Sequence, residues 1–332
     1  VGVLPTLVLA AGLGARLDPL TRQCAKAALP LAGRTLIERV LDWLAREQVE
    51  DVVINLHHRP ETIATVVGDG AQLGVRVRYS WEPVLLGSAG GPRHALPLLD
   101  SETLVIVNAE PLCDFPLAPL VSAHHQRHAD VTLAVVPNPA PDAFNGLRVD
   151  AEGIVREIVP KGRATGTWHF VGVQVARAGI FSGLPDNVPA ETIAGIYRDL
   201  IAGGHHRICV WPVDTEPIHV GTPHEYLVAA IGAGHACCCS SAVIEADVAE
   251  VASSARIRRT IVWAGSRIGP DVDLADCIVM SGVDLPRGFQ ARQAVITPAD
   301  LARPADQVER RGDIALFPLR AGSLLEAQHV GR

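Results

Sequence analysis

Two cations, Arg16 and Lys26, follow the run Ala10-Ala11-Gly12-Leu13-Gly14-Ala15, small or flexible at every position but Leu13, near the start of the chain. Side chains that small let a flat base and a phosphate chain press against the backbone. A strand that ends in such a turn leaves its N–H groups free to cradle an anion. A guanidinium and an ammonium nearby can then hold phosphate charge. Residues 7–30 therefore read as a nucleotide- or phosphate-binding loop at the head of an α/β domain.

The elements that must position this loop follow from periodicity. Leu7-Val8-Leu9 suits a buried strand, and Leu36, Ile37, Val40, Leu41 and Leu44 predict a helix over 36–47. Strands are expected at 52–56, at 75–79 in an exposed or edge position, and at 103–107. A helix over 60–67 would carry Pro60 in its first turn. Short apolar strands alternating with helices imply a largely parallel sheet covered on both faces. Such sheets bind ligands at the carboxyl ends of their strands. Three places become candidates there: residues 10–16, His57-His58, and Asn108-Ala109-Glu110. The turn Leu86-Gly87-Ser88-Ala89-Gly90-Gly91 either lets a base or sugar approach the backbone or is a plain connection.

Residues 131–136, 146–149, 154–158, 169–175 and 207–211 read as further strands, and 191–201 as a helix. Thr222 and Pro223 open another helix as N-cap and first residue. This stretch is expected to lie over the sheet's open edge as the second wall of a cleft. From Val251 the pattern changes, with apolar residues six apart at Val251 and Ile257, then Val262 and Ile268, and Gly or Asp between them. That spacing predicts short β-helix coils. A short apolar piece, 314–319, is expected to pack back on the body. The domains are then 1–232, 233–300 and a tail 301–332.

Composition bounds the function. The chain has 332 residues, 48% hydrophobic and 20% charged, with a net charge of −7. That is an ordinary globular balance, and it argues against nucleic acid or an anionic membrane as partner. No apolar run has the length of a membrane span, and the apolar start lacks a basic n-region, so cytoplasmic residence is expected. The seven cysteines, an odd number, form no disulfide framework and read as small buried hydrophobes.

Residues 12–21, Gly-Leu-Gly-Ala-Arg-Leu-Asp-Pro-Leu-Thr, with Lys26 and Pro30, resemble the signature of sugar-1-phosphate nucleotidyltransferases. Leu86 to Gly91 is similar to their L-G-T-A-G turn, Asn108-Ala109-Glu110 to their N-G-D, and Val220-Gly221-Thr222-Pro223 with Tyr226-Leu227 to their I-G-T-P…Y-L. Mannose-1-phosphate guanylyltransferases and N-acetylmuramate-1-phosphate uridylyltransferases are the most alike. The resemblance implies a Rossmann-like (GT-A type) mixed sheet flanked by helices, with a small C-terminal left-handed β-helix-like domain. It implies that a nucleoside triphosphate and a sugar-1-phosphate are the partners, and that pyrophosphate leaves. By matched position Leu9, Ala10, Ala11 and Gly12 would face base and ribose. Gly14, Ala15 and Arg16 would hold the β- and γ-phosphates, and Lys26 would bridge the α-phosphate and the sugar phosphate. Gly87, Ser88 and Asn108 complete the nucleotide side. Asn145 and Gly146 resemble the sugar-side Y-G, with Lys161 near the sugar phosphate. A β-helix tail implies a homodimer.

The family's two metal-binding aspartates stand here as Glu110 and His219. Mg²⁺ demands octahedral oxygen ligation, and imidazole suits Mn²⁺ or Zn²⁺ better. A weak or altered site for a divalent metal, magnesium or manganese, is expected, with Asp114 or Glu216 as substitute oxygen ligands. Two functions follow: an active transferase whose metal is held differently, or a binding or regulatory homologue that keeps the pocket and has lost the chemistry. Among the histidine groups, His124 and His128 have the i, i+4 spacing of a helical metal pair, but no acidic residue completes an H-E-x-x-H motif. Trp168-His169 suits either the sugar pocket or the core.

Overall fold

The computed structural model describes residues 4–109, 114–215, 220–235, 243–244 and 250–319. It divides into two compact units, Val1–Leu13 with Ile37–Ile218, and Gly14–Leu36 with His219–Arg332. The division falls inside the small-residue loop, between Leu13 and Gly14.

The first unit is built on a nine-stranded mixed sheet. Its strands are β1 Thr6–Leu9, β2 Asp51–Leu56, β3 Arg76–Trp81, β4 Thr103–Asn108, β5 Val131–Pro137, β6 Gly146–Val149, β7 Val155–Val159, β8 Trp168–Arg177 and β9 Ile208–Pro212. The main path runs β9-β5-β8-β4-β1-β2-β3, with β6 pairing β8 and β7. Strands β1 to β4 are mutually parallel where they pair. The apolar runs of β1, β2 and β4 are central strands, as buried strands must be. Strand β3 is the outer one and shows the expected alternation of exposed and half-buried residues.

Helices α1 Leu36–Arg46, α2 Pro60–Val67, α3 Gly87–Leu99 and α4 Leu117–Gln126 connect these strands. Helix α2 starts on Pro60 and stops at Gly68, whose φ of 57° belongs to glycine. The core combines Leu7, Val53, Leu104, Ile106, Leu133, Val135 and Phe181.

Along the main path the sheet is largely parallel, as expected: β9, β5, β4, β1, β2 and β3 run one way, and β8 alone is reversed, antiparallel to both β4 and β5. Strands 146–149, 155–159 and 168–177 follow one another with no helix between them, and parallel neighbours need a crossover. Two expectations need correction. Residues 131–212 do not cover an open edge, since β5, β8 and β9 continue the same sheet. Strand β8 bulges between Phe170 and Gln174, around Gly172 at φ 86°. The helix expected over 191–201 is broken: Thr192–Ile196 forms one wide turn, Gly195 leaves helical geometry, and α5 begins at Tyr197 and ends at Gly203. Glycine's backbone freedom makes it the residue that gives way.

In the second unit, short strands pair in parallel with a fixed step. Glu250 faces Arg267, and Arg267 faces Asp284, each 17 residues along. Ile261 faces Ile278, which faces Val295. Left-handed backbone recurs with the same step, at Arg259, Asp276 and Gln293. The six-residue spacing seen in the sequence is thus the strand-to-strand interval within a longer repeat. Val262, Ile268, Leu274, Val279 and Leu285 stack as its core. Charges ladder along its surface, with Arg267 between Glu250 and Asp284. Strand Ile314–Pro318 pairs antiparallel with Gln290–Pro298, so the apolar piece 314–319 closes this unit. Among the described residues no helix is long and apolar enough to cross a membrane. Of the described cysteines, Cys209 and Cys277 are buried and Cys24 is half-buried.

Candidate functional site

In the first unit, Leu9 pairs in register with Asn55 on one side and Asn108 on the other. Three strands therefore end abreast, with two asparagines at their carboxyl ends. Asn55 does the structural work. Its Oδ1 accepts the N–H groups of Ala10 at 2.6 Å and Ala11 at 3.2 Å. Its Nδ2 donates to Glu82 Oε1 at 2.7 Å, and Glu82 Oε2 accepts the N–H of Leu86 at 2.9 Å. Glu82 is fully buried and Asn55 nearly so. Burial pushes the Glu82 carboxyl above the usual range, opposed by the bonds from Leu86 and Asn55. A Cβ on Gly91 would sit 2.7 Å from Glu82 Oε1 and 2.8 Å from Asn55 Nδ2, so only glycine lets α3 close on the pair.

Neither Asn55 nor Glu82 was singled out from the sequence. An asparagine inside Val52-Val53-Ile54-Asn55-Leu56 is the signal that was available: a polar residue in a buried run must have a partner.

Gly87 opens α3 at φ 76°. Ser88 Oγ donates to Glu191 Oε2 at 2.5 Å and accepts the Thr192 N–H at 2.8 Å. Glu191 thus caps the N-terminus of α3, where a carboxylate is favoured. The turn over 86–91 is therefore a built cap that joins α3 to residues 190–192.

Asn145, Gly146 and Lys161 come together: Asn145 Oδ1 accepts the Lys161 N–H at 3.0 Å, and Gly146 pairs with Val159. A Cβ on Gly146 would lie 1.8 Å from Thr167 Oγ1. Gly146→Ala should therefore cost about 3 kcal/mol or more, read as a lowered denaturation midpoint. A midpoint equal to wild type would mean that Thr167 gives way. His169 is buried against the Phe144 ring at 4.6 Å, which favours the core for that residue.

His124 and His128 do not form a metal pair. His124 is buried with Nδ1 3.1 Å from Thr132 Oγ1, and burial lowers its pKa to about 4. His128 lies beyond the end of α4 in left-handed backbone. In the unfolded chain His124 titrates near 6.5, so the unfolded state takes the proton first. Stability should be full above pH 6.5 and fall toward pH 4, by up to about 3 kcal/mol from this residue. His124→Gln should flatten that part of the stability–pH curve, and an unchanged slope would refute the assignment.

In the second unit, Gly14 adopts φ 60° and starts the turn Ala15–Leu17. Its missing Cβ leaves room for Thr21 Cγ2, 2.7 Å from that position, and Lys26 Cβ, 3.2 Å from it. Thr21 Oγ1 donates to the Gly14 carbonyl at 3.2 Å. Lys26 is buried, whereas Ala15 and Arg16 are exposed. The Arg16 guanidinium passes 3.2 Å from where a Cβ on Gly221 would be. Thr222 caps the helix Pro223–His235 as expected, its Oγ1 accepting the Glu225 N–H at 3.2 Å, and Glu225 Oε2 accepts the Gly221 N–H at 2.9 Å.

Glu110 and His219, the expected metal ligands, lie outside the described residues, as does Glu216. Asp114 is exposed and paired with Arg46 at 3.1 Å. Among the described residues no group of three or more His, Cys, Asp or Glu is placed to hold a metal ion.

A family model described as nucleotidyl transferase matches residues 5–203. The chain is 27% identical over 291 residues to a mannose-1-phosphate guanylyltransferase of Mycobacterium tuberculosis, covering 85% of this chain and 81% of that protein. It is 33% identical over 214 residues to an N-acetylmuramate alpha-1-phosphate uridylyltransferase of Neisseria meningitidis, covering 63% of this chain and 91% of that one. Among solved structures, HddC from Yersinia pseudotuberculosis superposes with a TM-score of 0.60 at 18% identity, over 69% of this chain and 98% of its own.

Proposed function

Because the chain belongs to the nucleotidyl transferase family, we propose that it joins a nucleoside triphosphate to a sugar-1-phosphate, making an NDP-sugar and pyrophosphate. A phosphate oxygen of the sugar-1-phosphate attacks the α-phosphorus. The new O–P bond forms as the bond from the α-phosphorus to the α,β-bridging oxygen breaks, and pyrophosphate leaves with that electron pair. No covalent nucleophile is needed, only alignment and charge stabilisation.

The observation that carries this proposal is Asn55. It fixes the backbone of Ala10 and Ala11 at the carboxyl end of β1, where sheets of this kind receive a nucleotide. Leu9, Ala10, Ala11, Gly12 and Asn108 are assigned to base and ribose. Gly87 and Ser88 serve the base side through their capped turn. Gly14, Ala15 and Arg16 take the β- and γ-phosphates, with Arg16 meeting the charge that develops on pyrophosphate. Lys26 bridges the α-phosphate and the sugar phosphate. Asn145 and Gly146 receive the sugar, and Lys161 its phosphate. The guanylyl- and uridylyltransferase relatives support this substrate class.

Glu110 and His219 are the residues assigned to a divalent metal, magnesium or manganese, and no step is routed through it. We assign the transfer to residues 1–232 in a GT-A type domain, and 233–300 to a short left-handed β-helix. Pyrophosphate release that requires both a triphosphate and a sugar-1-phosphate would support the proposal. Absence of release with every base and sugar, alongside tight binding of a nucleotide sugar, would instead make the chain a binding homologue.

A further inference from the structure

We propose that Arg22 and Asp306 form a positioning pair through which the C-terminal coils hold residues 14–26, the segment with Arg16 and Lys26, in its triphosphate-holding shape. The proposal rests on the transferase assignment for its ligand and on geometry for the rest. Arg22 is buried, with 8% exposure, which arginine rarely is unless paired. All five of its N–H donors meet acceptors. Nε and one Nη2 proton meet Asp18, Nε at 2.7 Å. Nη1 donates to the Leu301 carbonyl at 2.8 Å and to Asp306 Oδ2 at 2.5 Å, and Nη2 reaches Asp306 Oδ1 at 3.2 Å. The guanidinium also lies over the Phe317 ring, 5.1 Å from its centroid. Asp306 is itself fixed, since it accepts the Arg303 N–H at 2.7 Å.

The contact passes onward through neighbours. Thr21, next to Arg22, holds the Gly14 carbonyl and fills the space that Gly14 leaves beside Lys26. Gln23 Nε2, on the other side, donates to the Ser281 carbonyl at 3.0 Å. The segment itself is three single 3₁₀ turns, Ala15–Leu17, Leu20–Arg22 and Lys26–Ala28, and such turns have little stability of their own. A loop that must be ordered on binding loses affinity, and one ordered beforehand does not. Arg22 therefore acts through the loop and not on the substrate.

The test uses the full chain and three variants. Arg22→Lys keeps the charge and loses the fork; Asp306→Asn removes one acceptor charge; Arg267→Ala breaks an exposed ion pair on the coils as a control. Amide hydrogen exchange of residues 14–26 should speed up in the first two variants and stay at the wild-type rate in Arg267→Ala. Calorimetric titration with GTP, UTP, dTTP and CTP should show affinity for the preferred triphosphate weakened about tenfold, the scale of one charge-assisted hydrogen bond. The KM for the triphosphate should rise. The double variant should be no weaker than the worse single one, because the two residues act as a unit. Unchanged exchange over 14–26 in both variants, or the same losses in Arg267→Ala, would overturn the proposal. A wild-type chain that binds no triphosphate would defeat the transferase assignment, while the exchange measurement would still decide whether Arg22 and Asp306 hold residues 14–26.

Discussion

Lys26→Met should lower kcat/KM for NDP-sugar formation by about 10²–10³-fold, with the fold intact. Methionine preserves the apolar stem that a buried lysine packs, so the change isolates the charge. The lysine backbone lies at the start of the turn Lys26–Ala28, and its Cβ sits against the space left by Gly14. Both anchor points survive in the variant. What disappears is the cation assigned to the α-phosphate, where charge accumulates as pyrophosphate departs. The loss should fall on kcat, since an interaction strengthened in the transition state is not recovered by saturating substrate. Initial rates of pyrophosphate release under saturating triphosphate and sugar-1-phosphate give the split. A raised KM with unchanged kcat would reduce Lys26 to a ground-state anchor.

Asn55→Leu should be the most damaging substitution for stability, at about 3–5 kcal/mol. Leucine fits a buried strand, so the cost is not one of volume. It removes the acceptor shared by the Ala10 and Ala11 N–H groups and the donor to the buried Glu82 carboxylate. Three buried polar groups then lack the partner they have in the wild type, one of them an acid already disfavoured by burial. Asn55→Asp should do nearly as much harm, because it keeps the acceptor but sets a carboxylate 2.7 Å from another. Equilibrium urea unfolding measures both. A midpoint within experimental error of wild type would show that Asn55 does not carry the loop.

Much of this architecture was legible from residue types. The edge character of β3 followed from its alternating arginines, and Pro60 gave the start of α2 to the residue. Thr222 and Pro223 announced their helix through a cap whose chemistry is local. The misread features have two causes. That β5, β8 and β9 continue the one sheet depends on pairing with strands far along the chain, which no local pattern encodes. The break at Gly195 is local, in a helix whose apolar spacing was otherwise sound.

The candidate site divides the same way. Arg16, Lys26 and the small-residue run were visible because charge and size suffice to suggest phosphate chemistry. Asn55, Glu82, Glu191 and Arg22 were not, because each matters through a bond to a residue far along the chain: Glu82 to Asn55 across 27 positions, and Arg22 to Asp306 across 284. The 17-residue step of the coils was present in Gly265 and Gly282, both at positive φ, but six-residue apolar spacing masked it.

The most direct test of the transfer itself follows the oxygen atoms. Sugar-1-phosphate labelled with ¹⁸O in its phosphate is incubated with each triphosphate and either Mg²⁺ or Mn²⁺, and the products are weighed by mass spectrometry. An NDP-sugar that carries all of the label, with unlabelled pyrophosphate, is the predicted result. Label in pyrophosphate or free phosphate, or no NDP-sugar with any combination, would contradict attack by the sugar phosphate on the α-phosphorus.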